Sequence, residues 1–437
     1  MSKKTFILGG ILFVLVLGLF WFIFEADRTP PNITLKGEIS YLNQDQEVQF
    51  HVNDTKSGIR YIRFKVKQEG LEKEVLSLDL KEKEAYEKEM IIQVQPRKLE
   101  LKEGKATLSI HSRDYSIFNN QTMLEKDLII DTIPPQIELQ SYRHYINKGG
   151  SCITLYSVSQ DSQKSGILMG DTFFTGYPIE KSGTHIVYFA MPWDASDSTP
   201  ILIVAEDSAG NKAKTSFPYM IRSKQFKKEN LHISDQFLDQ KIPEFTARHN
   251  HLMGNNIDIF LEVNRKLRKE NNTQIISICS KSNSKALWKG SFIRMKGASK
   301  ASFADFRTYY YQGKEIDKQV HLGVDISALK RFPIKAANSG IIVFADYLGI
   351  YGNTVIIDHG MGLFSMYSHL SSFDIKDGQE VKKGEVIGRT GTTGLAGGDH
   401  LHYSMIVQNT FVNPNEWWDS HWIHDNITIK LYPEESE

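Results

Sequence analysis

The stretch Gly398-Asp399-His400-Leu401-His402-Tyr403 follows a glycine-rich loop and places two histidines two residues apart. In a β-strand, residues two apart point to the same face, so both imidazoles can enter one site. Upstream, His321 and Asp325 are four residues apart, an even step that an extended segment also turns to one side. Two histidines, one carboxylate and an open fourth position are the composition of a hydrolytic zinc site, with one histidine left over here. The stretch therefore predicts a divalent metal site carried by strands.

The residues around this stretch predict a sheet of short strands. Four segments are rich in apolar and β-branched residues, namely 340–344, 353–357, 362–367 and 402–407. The sequence Asp358-His359-Gly360 is typical of a turn. Since no long helical pattern intervenes, we expect an antiparallel sheet that carries a surface groove.

Three motifs in this region resemble those of the M23, or lysostaphin-type, metallopeptidases. They are His321-Leu322-Gly323-Val324-Asp325, Tyr367-Ser368-His369-Leu370 and the opening stretch, and they occur in the order that the family shows. The segment 381–388 is also similar to a stretch of that family. The resemblance covers roughly residues 301–416. It departs from the family at Tyr403, where phenylalanine is more usual, and this position supplies no ligand.

The resemblance implies a small β-rich domain that holds one zinc ion per chain and cleaves peptides in peptidoglycan. By motif, His321, Asp325 and His402 would bind the zinc, and His369 and His400 would be the catalytic histidines. A catalytic zinc keeps one position open, where bound water loses its proton near neutral pH. The His-Glu-x-x-His helix, whose glutamate serves as the base, is absent from the sequence. A histidine can move the proton instead, because its pKa lies near the working pH, and which of the two does so stays open.

The overall composition narrows the function classes. A chain of 437 residues with 41% hydrophobic residues is long enough for roughly three globular domains. Its 52 basic and 52 acidic residues give a formal net charge of zero, so no nucleic-acid partner is indicated. The two cysteines, Cys152 and Cys279, match no metal-binding spacing.

The N-terminus contains an uncharged, apolar run from Thr5 to Phe24, preceded by two lysines. Its length matches the ~20 residues of a membrane-spanning helix, and the lysines predict a cytoplasmic tip. We therefore expect residues 1–25 to be a single-pass anchor in the inner (cytoplasmic) membrane, with the rest of the chain in the periplasm or extracytoplasmic space. A cleaved signal peptide is the alternative, but bulky residues at 21–24 stand where a cleavage site needs small ones.

The segment after the apolar run contains a repeat. The sequence Asp-Arg-Thr-Pro-Pro-Asn-Ile at 27–33 recurs as Asp-Thr-Ile-Pro-Pro-Gln-Ile at 131–137. Short alternating segments between the two copies predict two β-sandwich domains, at 26–132 and 133–222. The turn Asp207-Ser208-Ala209-Gly210-Asn211 resembles bacterial immunoglobulin-like repeats. Its aspartate either builds the turn or binds calcium.

A connector with a different composition follows at 223–300. Asn255 or Asn256 can cap a helix from Asp258 to Glu270, and Asn271-Asn272 would end it. The basic residues that follow indicate a solvated face or a contact with an anionic wall polymer or lipid. The peptidase-like domain then occupies 301–420 and a tail 421–437.

These observations predict a mainly β protein with an N-terminal transmembrane helix. Its expected function is that of a membrane-anchored zinc endopeptidase, which hydrolyses peptide cross-links of peptidoglycan with histidine acid–base catalysis. A non-catalytic activator or cell-wall-binding protein on the same fold is the alternative, and a regulatory envelope protein stays open as a partner. An iron oxygenase site of two histidines and a carboxylate usually has a closer His-x-Asp pair, which His321 and Asp325 do not form.

Overall fold

The structure is a computed structural model that describes residues 10–18, 25–81, 85–179 and 183–432. It is mainly β, as the sequence predicts, and these residues form two compact units. The first unit contains residues up to 135 together with 206–212, and the second contains 136–205 and 213 onward.

The predicted membrane helix is the part of the fold class that is wrong. Residues 10–18 are helical, whereas residues 5–9 and 19–24 of the apolar run lie outside the described residues. Among the described residues, no helix combines the length and the apolar character that crossing a bilayer requires. A helix rises about 1.5 Å per residue, so a helical stretch such as 10–18 covers less than half of the ~30 Å hydrocarbon core.

The first unit is a sandwich of two sheets. Their strand orders are β1-β3-β6 and β2-β8-β7-β4-β5, and all pairs are antiparallel except β2 with β8. Alternating side chains face inward, so that Phe50 and Phe64 lie fully buried with ring centroids 5.7 Å apart. The strands are β1 Asn32–Leu35, β2 Tyr41–Leu42, β3 Gln46–Asn53, β4 Ile59–Gln68, β5 Leu71–Asp79, β6 Glu87–Val94, β7 Gly104–Asp114 and β8 Gln121–Ile130.

The second unit begins with another group of strands. They form sheets in the orders β14-β15-β11-β9, β13-β12-β16-β17 and β10-β18. The strands are β9 Ile137–Leu139, β10 His144–Asn147, β11 Ser151–Val158, β12 Ser162–Met169, β13 Thr172–Thr175, β14 Tyr177–Pro178, β15 Thr184–Ala190, β16 Ile201–Asp207, β17 Lys212–Ser216 and β18 Tyr219–Arg222.

This strand group shares one hydrophobic core with the C-terminal part of the chain. Phe189 and Met405 belong to the same buried cluster, and Glu416 accepts hydrogen bonds from Asn147 (2.7 Å) and the backbone of Ser151 (2.8 Å). The described part of the predicted tail is folded into that core through short helices. These are α5 Ser420–Ile423, a π-helical turn His424–Thr428 and α6 Ile429–Leu431, and they follow α4 Pro414–Trp418 of the predicted peptidase domain. The predicted domain boundaries stay predictions.

The connector contributes one strand and three helical segments. They are β19 Lys228–Ile233, α1 Asp235–Thr246, α2 Asn256–Glu262 and α3 Arg268–Ile278, with a π-helical segment Val263–Leu267 between α2 and α3. Asn255 caps α2 by accepting a hydrogen bond from the Asp258 backbone (3.0 Å), which confirms one of the two predicted caps.

The predicted helix end at Asn271-Asn272 is wrong, because both residues lie inside α3. Tertiary hydrogen bonds explain the difference. The side-chain oxygen of Asn271 accepts from the Ile350 backbone (2.9 Å), and that of Asn272 accepts from the Tyr351 hydroxyl (2.8 Å). The asparagines thus hold the 3-10 turn Gly349–Tyr351 instead of ending the helix.

The predicted antiparallel sheet is present at the C-terminus. Its main path is β20-β23-β30-β27-β26-β25-β28, and β24, β29 and β31 join from the side. A smaller sheet, β19-β21-β22, is formed with the connector strand. The strands are β20 Ala298–Ala301, β21 Phe306–Tyr311, β22 Lys314–Val320, β23 Val324–Ser327, β24 Pro333–Lys335, β25 Gly340–Tyr347, β26 Asn353–Asp358, β27 Leu363–Phe373, β28 Glu380–Val381, β29 Val386–Thr390, β30 Leu401–Val407 and β31 Thr410–Val412.

Candidate metal centre and active site

Strand β30 brings the separate motifs together because it lies between β23 and β27. His402 on β30 is directly opposite Asp325 on one side and opposite Ser368 on the other. His321 immediately follows β22, three residues before β23 begins, and His400 immediately precedes β30. All five histidine and aspartate side chains that the sequence singles out line one cavity.

A β-bulge directs His369 into this cavity. Tyr367 is opposite Val355 and Leu370 is opposite Asn353, so β27 has one residue more than its partner over this step. His369 takes up the extra residue with a φ of 66°, in the left-handed region that side chains rarely adopt. Such strain is found where a side chain is aimed for function.

Three side chains converge on one point in the floor of the cavity. Nε2 of His321, Nδ1 of His402 and Oδ1 of Asp325 are each 2.9 Å from the other two. Only 4%, 8% and 4% of the His321, Asp325 and His402 surfaces are exposed. These three residues form a group that can hold a metal ion.

The hydrogen bonds behind the rings decide which nitrogens carry protons. Nδ1 of His321 lies 2.9 Å from the Ser302 carbonyl, which can only accept, so Nδ1 donates. Nε2 of His402 lies 3.0 Å from the Ser404 hydroxyl, whose own proton goes to the Leu322 carbonyl at 2.8 Å. Nε2 of His402 therefore donates as well. When both rings are neutral, the nitrogen of each ring that faces Asp325 carries a bare lone pair.

Three acceptor atoms thus face each other without a proton between them. Burial lowers the pKa of His402 to about 4, so the His402 ring brings no second proton to this contact at neutral pH. A cation is a partner that these three acceptor atoms can share. Imidazole and carboxylate ligands with hydrogen-bonded outer atoms are those of a zinc site.

Arg307 holds the second oxygen of Asp325. Its Nη2 donates to Asp325 Oδ2 at 3.0 Å, and its Nε donates to Glu229 on β19 at 3.2 Å. The sequence analysis missed this residue, since a single arginine among the tyrosines of β21 gives no signal of its neighbour. It also missed Tyr351, whose ring lies 5.5 Å from that of His402.

His369 and His400 lie beside this group, with ring centroids 4.8 Å apart. Nδ1 of His369 donates to the Thr393 carbonyl and Nδ1 of His400 donates to the Gly398 carbonyl, both at 2.8 Å. In each neutral ring, Nε2 is then free to accept a proton. Burial, followed by the charges of His400 and His402, holds the pKa of His369 well below its usual value. Burial opposes protonation of His400, but its contact with Asp325 outweighs this and raises its pKa.

The connector forms one wall of the cavity, which has a volume of about 320 Å³. The wall residues come from β19, α1 and α2 and include Leu231, Ile233, Phe237 and Phe260. Helix α1 also holds the glycine-rich loop, because Glu244 accepts from the Gly394 backbone (2.7 Å) and Lys241 donates to the Thr392 carbonyl. No pattern in the sequence predicted this wall.

Residues 319–414 match the family model described as Peptidase family M23. This chain carries an M23 peptidase domain at its C-terminus. The domain is 42% identical over 96 residues to the DD-carboxypeptidase/endopeptidase Mpg of Neisseria meningitidis, covering 22% of this chain and 22% of the relative. It is 38% identical over 93 residues to the peptidoglycan DD-endopeptidase ShyA of Vibrio cholerae, covering 21% of this chain and 22% of the relative.

The matched segment thus spans about a fifth of the curated relatives' own length. Among solved structures, the catalytic domain of the antimicrobial peptidase lysostaphin from Staphylococcus simulans is similar with a TM-score of 0.25 and 29% identity. That alignment covers 28% of this chain and 92% of the lysostaphin domain. A TM-score of this size does not bear on the function of this chain.

Proposed function

We propose that this protein is a zinc endopeptidase that hydrolyses peptide cross-links of peptidoglycan outside the cytoplasm. The observation that carries the proposal is the convergence of three lone pairs, from His321, Asp325 and His402, next to two further histidines. The name of the Vibrio relative, a peptidoglycan DD-endopeptidase, supports peptidoglycan as the substrate, and that of the Neisseria relative supports an endopeptidase activity. The extracytoplasmic location follows from that substrate.

His321, Asp325 and His402 would hold the zinc ion. When bound, zinc acidifies a water molecule and polarises the scissile carbonyl. Arg307 keeps the Asp325 carboxylate oriented, and the Ser302 and Ser404 contacts fix the tautomers of the two ligand histidines.

The proton transfers belong to His369 and His400. Each ring is anchored through Nδ1 to a backbone carbonyl, so Nε2 can accept a proton and return it without the ring turning away. Two adjacent histidines let one ring serve the attacking water and the other serve the departing amine. A protonated ring also stabilises negative charge on the oxygen of the tetrahedral intermediate.

Digestion of purified sacculi by the protein, with mass analysis of the released fragments, tests the proposal. We expect His402→Ala to abolish cleavage and lower the zinc content. His369→Ala is expected to abolish cleavage with the zinc content unchanged. Cleavage by both variants would refute the proposal. Tight binding of sacculi without cleavage by the zinc-loaded wild type would favour the non-catalytic alternative.

A further inference from the structure

A second cavity, of about 580 Å³, adjoins the metal cavity. Arg268 and Arg307 line both, so the two cavities meet at these side chains. Trp193 and Phe306 contribute an apolar surface, with ring centroids 5.4 Å apart in an edge-to-face contact. The second cavity is therefore placed to hold a part of a substrate whose scissile bond lies at the metal centre.

Positive charge dominates the lining of this second cavity. Its lysines and arginines are Lys228, Arg268, Arg307 and Lys318, against one carboxylate, Glu315. Lys318 is paired with Glu315 at 2.9 Å, and Arg307 is paired with Asp325 and Glu229. Within the described part of the chain, Arg268 and Lys228 are in no ion pair with a carboxylate.

Arg268 is held in place by neutral atoms. It begins α3, directly after the π-helical segment, and π-helical turns are frequent at functional sites. Its Nε donates to the Asn264 carbonyl (3.1 Å) and its Nη2 donates to Asn264 Oδ1 (2.5 Å). Asn264 is itself fully buried and donates to Asp317 at 2.7 Å. The guanidinium is thus oriented while its charge and its other N–H donors stay available.

We infer that the second cavity binds a carboxylate of the peptide substrate through Arg268. This inference rests on the proposed function and adds the charge of the substrate to it. A guanidinium is suited to the task because its planar donors match both oxygens of a carboxylate. Arg268 is half-buried, so solvent weakens its charge less than that of the exposed Lys228 and Lys318.

Two stem peptides of the same sequence, one with free carboxylates and one with amidated carboxylates, test this inference. For the wild type, we expect kcat/KM to be about tenfold higher for the free form, mainly through KM, as for one charge-assisted hydrogen-bond pair. Arg268→Gln should bring the ratio close to one. The control Lys266→Gln removes a charge from the preceding turn, at a residue that lines neither cavity, and should keep the full ratio. A full ratio in Arg268→Gln would overturn the inference.

Calorimetric binding of both peptides to His369→Ala separates this inference from the proposed function. If binding prefers the free form, and His369→Ala with Arg268→Gln loses that preference, the carboxylate site stands even if the wild type cleaves nothing. If the wild type cleaves both peptides equally and binding shows no preference, the carboxylate site is refuted and the proposed peptidase function is retained. If neither peptide is bound or cleaved, both the carboxylate site and the proposed function are refuted. Should Arg268→Gln fail to fold, Arg268→Lys decides, with an expected two- to threefold loss of preference, about half of the discrimination.

Discussion

Two buried clusters of ionisable side chains lie in different units of this protein. They differ in whether hydrogen-bond donors surround their acceptor atoms. In the first unit, Asp27, Asp54 and Asp114 offer oxygens that lie within 4.8 Å of one another. Nearby N–H and O–H groups donate to five of these six carboxylate oxygens. Oδ1 of Asp54, for example, accepts from the backbones of residues 56–58 at 3.1, 2.8 and 2.7 Å.

In the second unit, His321, Asp325 and His402 are equally close, but the atoms that face each other are all acceptors. The first cluster is built from turns whose N–H and O–H groups donate to its oxygens, whereas the second presents acceptor atoms that a cation can share. Proximity of acidic groups therefore does not distinguish a metal site from a turn, whereas an account of the donors does.

The largest expected difference between the two clusters is in metal binding. We expect His402→Ala to lose zinc and to abolish detectable cleavage, a fall in kcat on the order of 1,000-fold or more, because several kcal/mol of charge stabilisation disappear. Asp54→Asn should leave both the zinc content and kcat unchanged. Metal analysis by mass spectrometry, with a cleavage assay, measures this. A zinc loss in Asp54→Asn would mean that the first cluster also binds the ion.

Glu416 provides a third case, in which burial outweighs the donors. Burial raises its pKa from 4.5 to about 7, despite hydrogen bonds from Asn147 and Ser151. The folded state thus favours the protonated acid. Its contribution to stability is complete below about pH 4.5 and is lost as the pH rises through about 7, at a cost of about 3 kcal/mol.

Unfolding of the full chain in denaturant between pH 4.5 and 7.5 measures this loss. Glu416→Gln keeps the accepting oxygen without the titration, and it should flatten the dependence on pH over this range. An unchanged slope in that variant would show that another group causes the dependence.

Within the metal cluster, one oxygen of Asp325 does have a hydrogen-bond donor. Arg307 donates to the oxygen that does not face the histidines. We expect Arg307→Gln to weaken zinc affinity about 30-fold, within the range usual for partners of metal ligands. Competition with a zinc-binding dye measures the affinity. Arg265→Gln, a surface arginine paired with Asp317, is the control and should bind zinc as the wild type does. Equal affinities in both variants would show that Arg307 does not position the carboxylate.

The smallest expected effect concerns the turn that Asp54 organises. Asp54→Ala leaves the donors of residues 56–58 without the carboxylate, although water can replace it at the exposed ones. We expect a loss of about 1 kcal/mol from the free energy of unfolding of the first unit. Scanning calorimetry of the whole chain should show one transition lowered and the other unchanged. A shift that depends on added calcium would instead identify this cluster as a cation site.

The strands and the five site residues were predictable because their signals are local. His400 and His402 alternate with apolar residues, and the alternation alone places both on one face. The predicted strands at 353–357 and 402–407 lie within β26 and β30. The roles assigned to the five residues stay predictions, since geometry brings them together without showing a reaction.

The features that sequence reasoning missed depend on contacts between distant segments. The pair Asn271-Asn272 predicts a helix end, but hydrogen bonds with residues 350 and 351 hold both residues within the helix. Arg307 and Glu229 are 78 residues apart and meet only through the parallel pairing of β19 with β21. The predicted membrane helix is a separate case, since no helix in the described part of the chain is long and apolar enough to cross a bilayer.

The connector wall has a consequence for how this protein is divided. A fragment that starts near residue 301 would retain every ligand and both remaining histidines, yet it would lose β19, α1 and α2, which line the cavity opposite them. It would also lose Lys241 and Glu244, which fasten the glycine-rich loop. The cavity of such a fragment would be open on the side that the connector covers. Peptide preferences measured on the fragment would therefore not represent those of the intact chain.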